Sequence, residues 1–130
     1  MEIQHIQIEP IELNWSEWYS FSDVILDAGN SKIKIPKSSG VYEAILAIES
    51  RERLTIGQTT NLRQRIRDAL VNGTMPHSAG EKIRSSVTDV EFKNILVRWA
   101  TTIRPHAIEE ELHRLYKKMF NCLPKYTTKT

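Results

Sequence analysis

A tyrosine, an arginine and a glutamate are the residues of this chain whose types and spacing suit chemistry. Tyr42 closes the triplet Gly40-Val41-Tyr42. The stretch Thr55-Ile56-Gly57-Gln58-Thr59-Thr60-Asn61-Leu62-Arg63-Gln64-Arg65 follows it, and Glu109 opens the acidic run Glu109-Glu110-Glu111. A phenol has a pKa of about 10 and is a poor base near neutrality unless positive neighbours favour its ionised form. A guanidinium is planar, permanently charged and grips oxyanions in a fork. A carboxylate is what Mg²⁺ often takes from a protein, with water completing the octahedron. Thr55 and His77 are the further polar candidates.

Each of these residues also has an ordinary structural reading. A tyrosine in a hairpin strand packs against the core or a cross-strand neighbour. An arginine on a helix lies over apolar neighbours with its charge in water. Acidic residues in a first helical turn are favoured by the helix dipole. His77 reads as a loop hydrogen-bonder. His113, one turn after Glu109, reads as a helix-surface partner or as outer support for a metal-binding carboxylate.

The elements that must hold these side chains are legible from periodicity. Residues 2–13 alternate apolar and polar around Pro10, as an edge strand or extended arm does. Trp15, Trp18, Phe21 and Ile25 recur at helical intervals, with Gly29-Asn30 as a stop, which predicts a helix over 16–28. A linker follows, then a strand over 41–48, a polar turn at 49–52, and a returning strand at 54–56. A helix runs from about Thr60 to Asn72, closed by Gly73. Leu62, Ile66, Ala69 and Leu70 form its apolar stripe, Arg63 and Arg67 one flank, and Arg65 the opposite flank. A short helix over 81–87 and a strand over 92–100 come next. Pro105 starts a last helix to about Phe120.

The chain has 130 residues, 40% of them hydrophobic and 26% charged, which is the range of a single folded domain. Its 18 Lys and Arg nearly balance 16 Asp and Glu, so nucleic-acid binding would depend on how the cations cluster. One cysteine, Cys122, excludes an internal disulfide and a Cys-rich zinc site. No apolar run reaches the roughly 20 residues that span a bilayer. The N-terminus lacks the pattern of a signal peptide, and a cytoplasmic protein without membrane contact is expected.

Taken in order, Gly40-Val41-Tyr42, Thr55-Ile56-Gly57, Asn61-Leu62, Arg65, Glu109 with Leu112, and Pro124-Lys125-Tyr126 resemble the motifs of the GIY-YIG nuclease family. The resemblance spans residues 38–127. It implies an α+β fold with a small three-stranded antiparallel sheet flanked by helices, residues 38–130 as the nuclease domain, and 1–37 as an extension packed on it. It implies a metal-dependent endonuclease hydrolysing phosphodiester bonds of DNA, with Mg²⁺ or Mn²⁺ held at Glu109. Tyr42 would receive or orient the proton of the attacking water, Arg65 would hold the phosphate, and Thr55 would stand in the place of the second tyrosine. His77 would stand in for a lost base. The chain also departs from the family at Ala69, where many members carry histidine or tyrosine, and at Thr127, where asparagine is common. Arg63, Arg67, Lys82 and Arg84 are the cations placed to follow a phosphate backbone, with a protein partner or a second copy supplying specificity. The alternatives are a catalytically inactive nucleic-acid-binding module, or an interaction domain that presents Trp15, Trp18, Tyr19 and Phe21.

Overall fold

The computed structural model describes residues 3–7, 10–27, 32–48 and 52–127. The predicted stop at Gly29-Asn30 and most of the predicted hairpin turn lie outside them. The fold is α+β. Strands β1 (Tyr19–Ser20), β2 (Gly40–Leu46), β3 (Glu52–Thr59) and β4 (Ile95–Thr101) form one antiparallel sheet in the order β1-β4-β2-β3. Helices α1 (Phe21–Leu26), α2 (Ser78–Ser86), α3 (Asp89–Phe92) and α4 (Pro105–Phe120) surround it, with a π-wound helix over Gln64–Val71 carrying Arg65.

The sheet therefore has four strands, not the three expected from sequence. The extra one, β1, comes out of the segment predicted as a helix over 16–28. The Ser16 amide donates to the Trp99 carbonyl at 2.8 Å, and the Trp99 amide returns to the Ser16 hydroxyl at 3.0 Å. Tyr19 then pairs with Val97 and stacks on the Trp99 ring, 5.4 Å between centroids. Those cross-strand bonds hold the backbone extended through Ser20, whose hydroxyl caps α1 by accepting from the Asp23 amide. The helical spacing of the aromatics thus reflects separate anchorages: Phe21 enters the core, while Trp15 and Trp18 lie on the Arg98 guanidinium, 4.3 and 4.5 Å from it. The described parts of residues 3–13 form no strand, and Ile3 and Ile6 are exposed.

β2 lies between β4 and β3, and its residues are buried from Gly40 to Ile45. Tyr42, Ala44, Val97 and Trp99 belong to the main core together with Leu62, Ile66 and Leu70 of the arginine helix and Ile83 of α2. A bulge between Ala44 and Ile45 leaves Leu54 as an extra residue on β3, and Leu54 also turns into that core. The opposite face carries Glu43, which is buried and accepts from Arg53 at 3.0 Å and from Arg98 at 2.7 Å. α4 crosses this side, with its strongest contacts to β3.

The arginine helix departs from its expected α winding. Its closing bond runs from the Asn72 amide to the Arg67 carbonyl, five residues back, which is the π pattern. Gly73 ends it at φ 71°, a conformation that disfavours any residue with a Cβ. α3, absent from the sequence reading, is held by a capping box in which Thr88 and Glu91 each bond the other's backbone amide.

Candidate active site

Tyr42 faces Gly57 across the β2–β3 ladder. A Cβ at position 57 would collide with the Tyr42 hydroxyl and ring carbons, so the glycine is what lets the phenol lie flat against β3. The ring is 2% exposed. Burial pushes its pKa up to about 12; Arg65 pulls against that through its charge and through a hydrogen bond donated to the phenol oxygen.

His77 supplies a second bond to the same oxygen, Nε2 to Oη at 3.0 Å. The tautomer follows from the other ring nitrogen. His77 is the N-cap of α2, and its Nδ1 accepts the Gly80 amide at 3.2 Å. Nδ1 must then hold a lone pair, so the ring proton sits on Nε2 and is donated to Tyr42. Burial drives the imidazole pKa down to about 4, and the positive charges of Arg65 and Arg84 add to the shift. His77 is a neutral donor at pH 7. With Arg65 and His77 both donating to it, the phenol oxygen is engaged as an acceptor by two groups.

Glu109 reaches the same place from α4, around the free edge of β3. The Gln58 amide donates to its carboxylate, which is half-buried and has its pKa raised by that burial. Opposing contributions come from His113, His106 and the Gln58 bond. Among the described residues Glu109 makes no ion pair. One turn on, His113 is buried and its Nε2 meets the Ile56 carbonyl at 2.8 Å. It is thus a buried tether between α4 and β3 rather than a helix-surface partner. Its Nδ1 is buried without a hydrogen-bond partner.

The remaining groups on that edge come from the chain's C-terminal segment. The Tyr126 amide donates to the Leu54 carbonyl at 2.8 Å, and Thr127 Oγ1 lies 3.2 Å from Thr55 Oγ1 and 3.5 Å from the Ile56 amide. Thr55 pairs with Ala44, on the same sheet face as Tyr42, but its hydroxyl is engaged by Thr127.

These pieces enclose a cleft of about 340 Å³, lined by Tyr42, Thr55, Arg65, His77, Glu109 and His113 among others. The sequence-selected Tyr42, Thr55, Arg65, His77 and Glu109 thus share one cavity, although their elements are far apart in the chain. Sequence reading missed the Gln58 amide and Ser78 as parts of the wall, and neither carries a motif that would have marked it.

The cations selected for nucleic-acid contact are placed differently. Arg63 Nε donates to the Ile35 carbonyl at 2.7 Å. Arg67 pairs with buried Asp27 at 3.6 Å, and Asp27 in turn receives the Lys32 and Ile33 amides. Arg84 Nη1 caps the arginine helix through the Ala69 and Leu70 carbonyls at 3.0 and 2.7 Å. Lys82 is exposed on α2. No helix among the described residues is long and apolar enough to cross a membrane. No family model, curated protein or solved structure matches the chain.

Proposed function

We propose that the cleft is a phosphodiester-hydrolysing site and that the protein is a divalent-metal-dependent DNA endonuclease of GIY-YIG type. One observation carries this reading: Tyr42, Arg65 and Glu109 converge on one cavity from a strand and separate helices. Their chemistry is complementary. Arg65 offers a fixed positive fork for the phosphate oxygens, and Tyr42 offers a phenol oxygen already receiving bonds from Arg65 and His77. Arg65 works against the burial that holds the phenol near a pKa of about 12. A cation bound nearby would add to that pull, and the phenolate so favoured would take a proton from water as the water oxygen bonds to phosphorus. The P–O bond to the departing nucleotide then breaks, and the leaving oxygen takes up a proton.

Glu109 fits a hard cation. It is a half-buried carboxylate with no ion pair among the described residues, and a positive ion would offset the burial that raises its pKa. No three His, Cys, Asp or Glu side chains gather among the described residues, so most of the ligands would be water and phosphate oxygens, as Mg²⁺ prefers. Bound there, the cation would supply charge neutralisation at the phosphate and lower the pKa of nearby water.

A DNA-binding module without catalysis is the second reading, favoured by one specific contact. The hydroxyl that replaces the second phenol is turned to Thr127, which leaves Tyr42 and Tyr126 as the phenols of the cleft. Nicking of supercoiled plasmid separates the readings. An enzyme nicks with Mg²⁺ or Mn²⁺ and loses activity in Tyr42→Phe and Glu109→Gln with the fold intact. DNA binding with no nicking under either ion selects the module, and wild-type nicking unchanged in Glu109→Gln rejects this site.

A further inference from the structure

We infer that the cavity between residues 33–34 and the arginine helix is an oxyanion site that takes a phosphate group. Resting on the endonuclease reading, that phosphate belongs to the DNA backbone away from the scissile bond. The cavity is about 100 Å³ and is lined by Ile33, Lys34, Arg63 and Arg67. A water's share of liquid volume is about 30 Å³, so the space suits a group with several oxygens. Three of the four lining residues are cations, and no acidic residue lines it. Alternation builds the wall on the loop side: Ile33 and Ile35 enter the core, while Lys32 and Lys34 are exposed.

The local charge is unbalanced. Arg63 is anchored through Nε, which donates to the Ile35 carbonyl at 2.7 Å. Among the described residues neither Arg63 nor Lys34 makes an ion pair. Arg67 lies 3.6 Å from Asp27, beyond hydrogen-bond length, and both Asp27 oxygens already accept backbone amides, from Lys32 and Ile33 at 2.9 Å each. One carboxylate is thus set against three cations, and both guanidiniums are partly buried. Partly desolvated cations without matching anions are costly. A phosphate among them supplies the missing charge, together with the oxygens that a guanidinium fork grips. Arg63 and Arg67 stand two residues to either side of Arg65, which lines the cleft, so one helix serves both cavities.

Lys34→Glu tests this on the full chain, with Lys93→Glu, an equal charge change at an exposed lysine outside the cavity, as control. Duplex binding is read by fluorescence anisotropy in EDTA at several salt concentrations, and inorganic phosphate binding by the Arg63 Nε ¹⁵N resonance. Lys34→Glu should weaken duplex binding at least about fivefold more than Lys93→Glu and lower the slope of log affinity against log salt by about one. Phosphate should shift the Arg63 resonance in wild type and not in Lys34→Glu. Lys34→Gln, with the urea midpoint of wild type, should show the same losses to a smaller degree. A loss of duplex binding specific to Lys34 supports the backbone contact. A phosphate shift with equal duplex binding in Lys34→Glu and Lys93→Glu assigns the cavity to a small phosphate ligand and overturns the backbone contact. No phosphate shift together with equal duplex binding overturns the inference outright. Wild-type protein that binds no duplex rejects the endonuclease reading instead, and the phosphate titration alone then decides the site.

Discussion

Thr55 and Thr127 are bonded to each other, hydroxyl to hydroxyl at 3.2 Å, although 72 positions separate them. They are also two of the positions at which the chain departs from the family pattern. Each small hydroxyl residue makes room for the other, and Thr127 additionally covers the outward Ile56 amide. Thr127→Val should strip both contacts and lower stability by about 1–3 kcal/mol in urea unfolding. Thr55→Val in that background should add little further loss, because its partner is already gone. Additive losses in the double variant would show that the hydroxyls act independently.

Gly57 gives a steric test of the cleft. Gly57→Ala places a methyl group where the Tyr42 ring lies, which forces the ring or the strand to move. The expected result is a destabilisation of about 1–3 kcal/mol and loss of any nicking. In a Tyr42→Ala background, where the ring is already absent, Gly57→Ala should cost little further stability. Unaltered stability in Gly57→Ala would mean that the ring does not occupy this position.

The neutral state of His77 predicts a pH dependence of folding. Its folded pKa, about 4, lies below the ordinary 6.5, so the unfolded chain takes up its proton first as pH falls. The contribution is complete above about 6.5 and is lost progressively towards 4. His77→Gln should flatten the decline of unfolding free energy in that window, read from urea midpoints at several pH values. An identical decline in the variant would assign the effect to other groups.

The cations divide into structural and free ones, which predicts different phenotypes. Arg84→Met removes bonds to the carbonyls ending the arginine helix and should lower stability by about 1–3 kcal/mol. Arg67→Met should do likewise by leaving buried Asp27 without its cation. Lys82→Glu should leave stability nearly unchanged, weaken DNA binding and reduce its salt dependence. Reduced DNA affinity in folded Arg84→Met equal to that in Lys82→Glu would contradict this division.

How much of this was legible depends on how local each signal is. The bounds of α4 followed from Pro105, and the hairpin followed from its glycines and β-rich runs. The buried face of α4 did not follow: helical spacing selects Ile108, Leu112, Leu115 and Met119 as its core stripe, whereas His113 and Tyr116 are the buried side chains and Leu115 and Met119 are exposed. Tyr42, Arg65 and Glu109 could be selected because each occupies a fixed place in an ordered set of motifs. β1 could not be read, since two residues become a strand only through partners on β4. The winding of the arginine helix was equally hidden: apolar residues at intervals of four satisfy an α or a π face. The destinations of Arg63, Arg67 and Arg84 were invisible for a related reason. A guanidinium that caps a carbonyl and one that meets DNA have the same local sequence.

The free edge of β3 is closed by side chains and by the C-terminal segment instead of by another strand. Glu109 takes the Gln58 amide, His113 the Ile56 carbonyl, and Thr127 and Tyr126 lie along the rest. An eight-residue edge left bare is a template for pairing with a neighbouring molecule. The residues proposed to handle the substrate are thus also the guard against self-association. A lesion that detaches α4 would be expected to make the protein sticky as well as inactive, so solubility and catalysis would be lost together rather than one at a time.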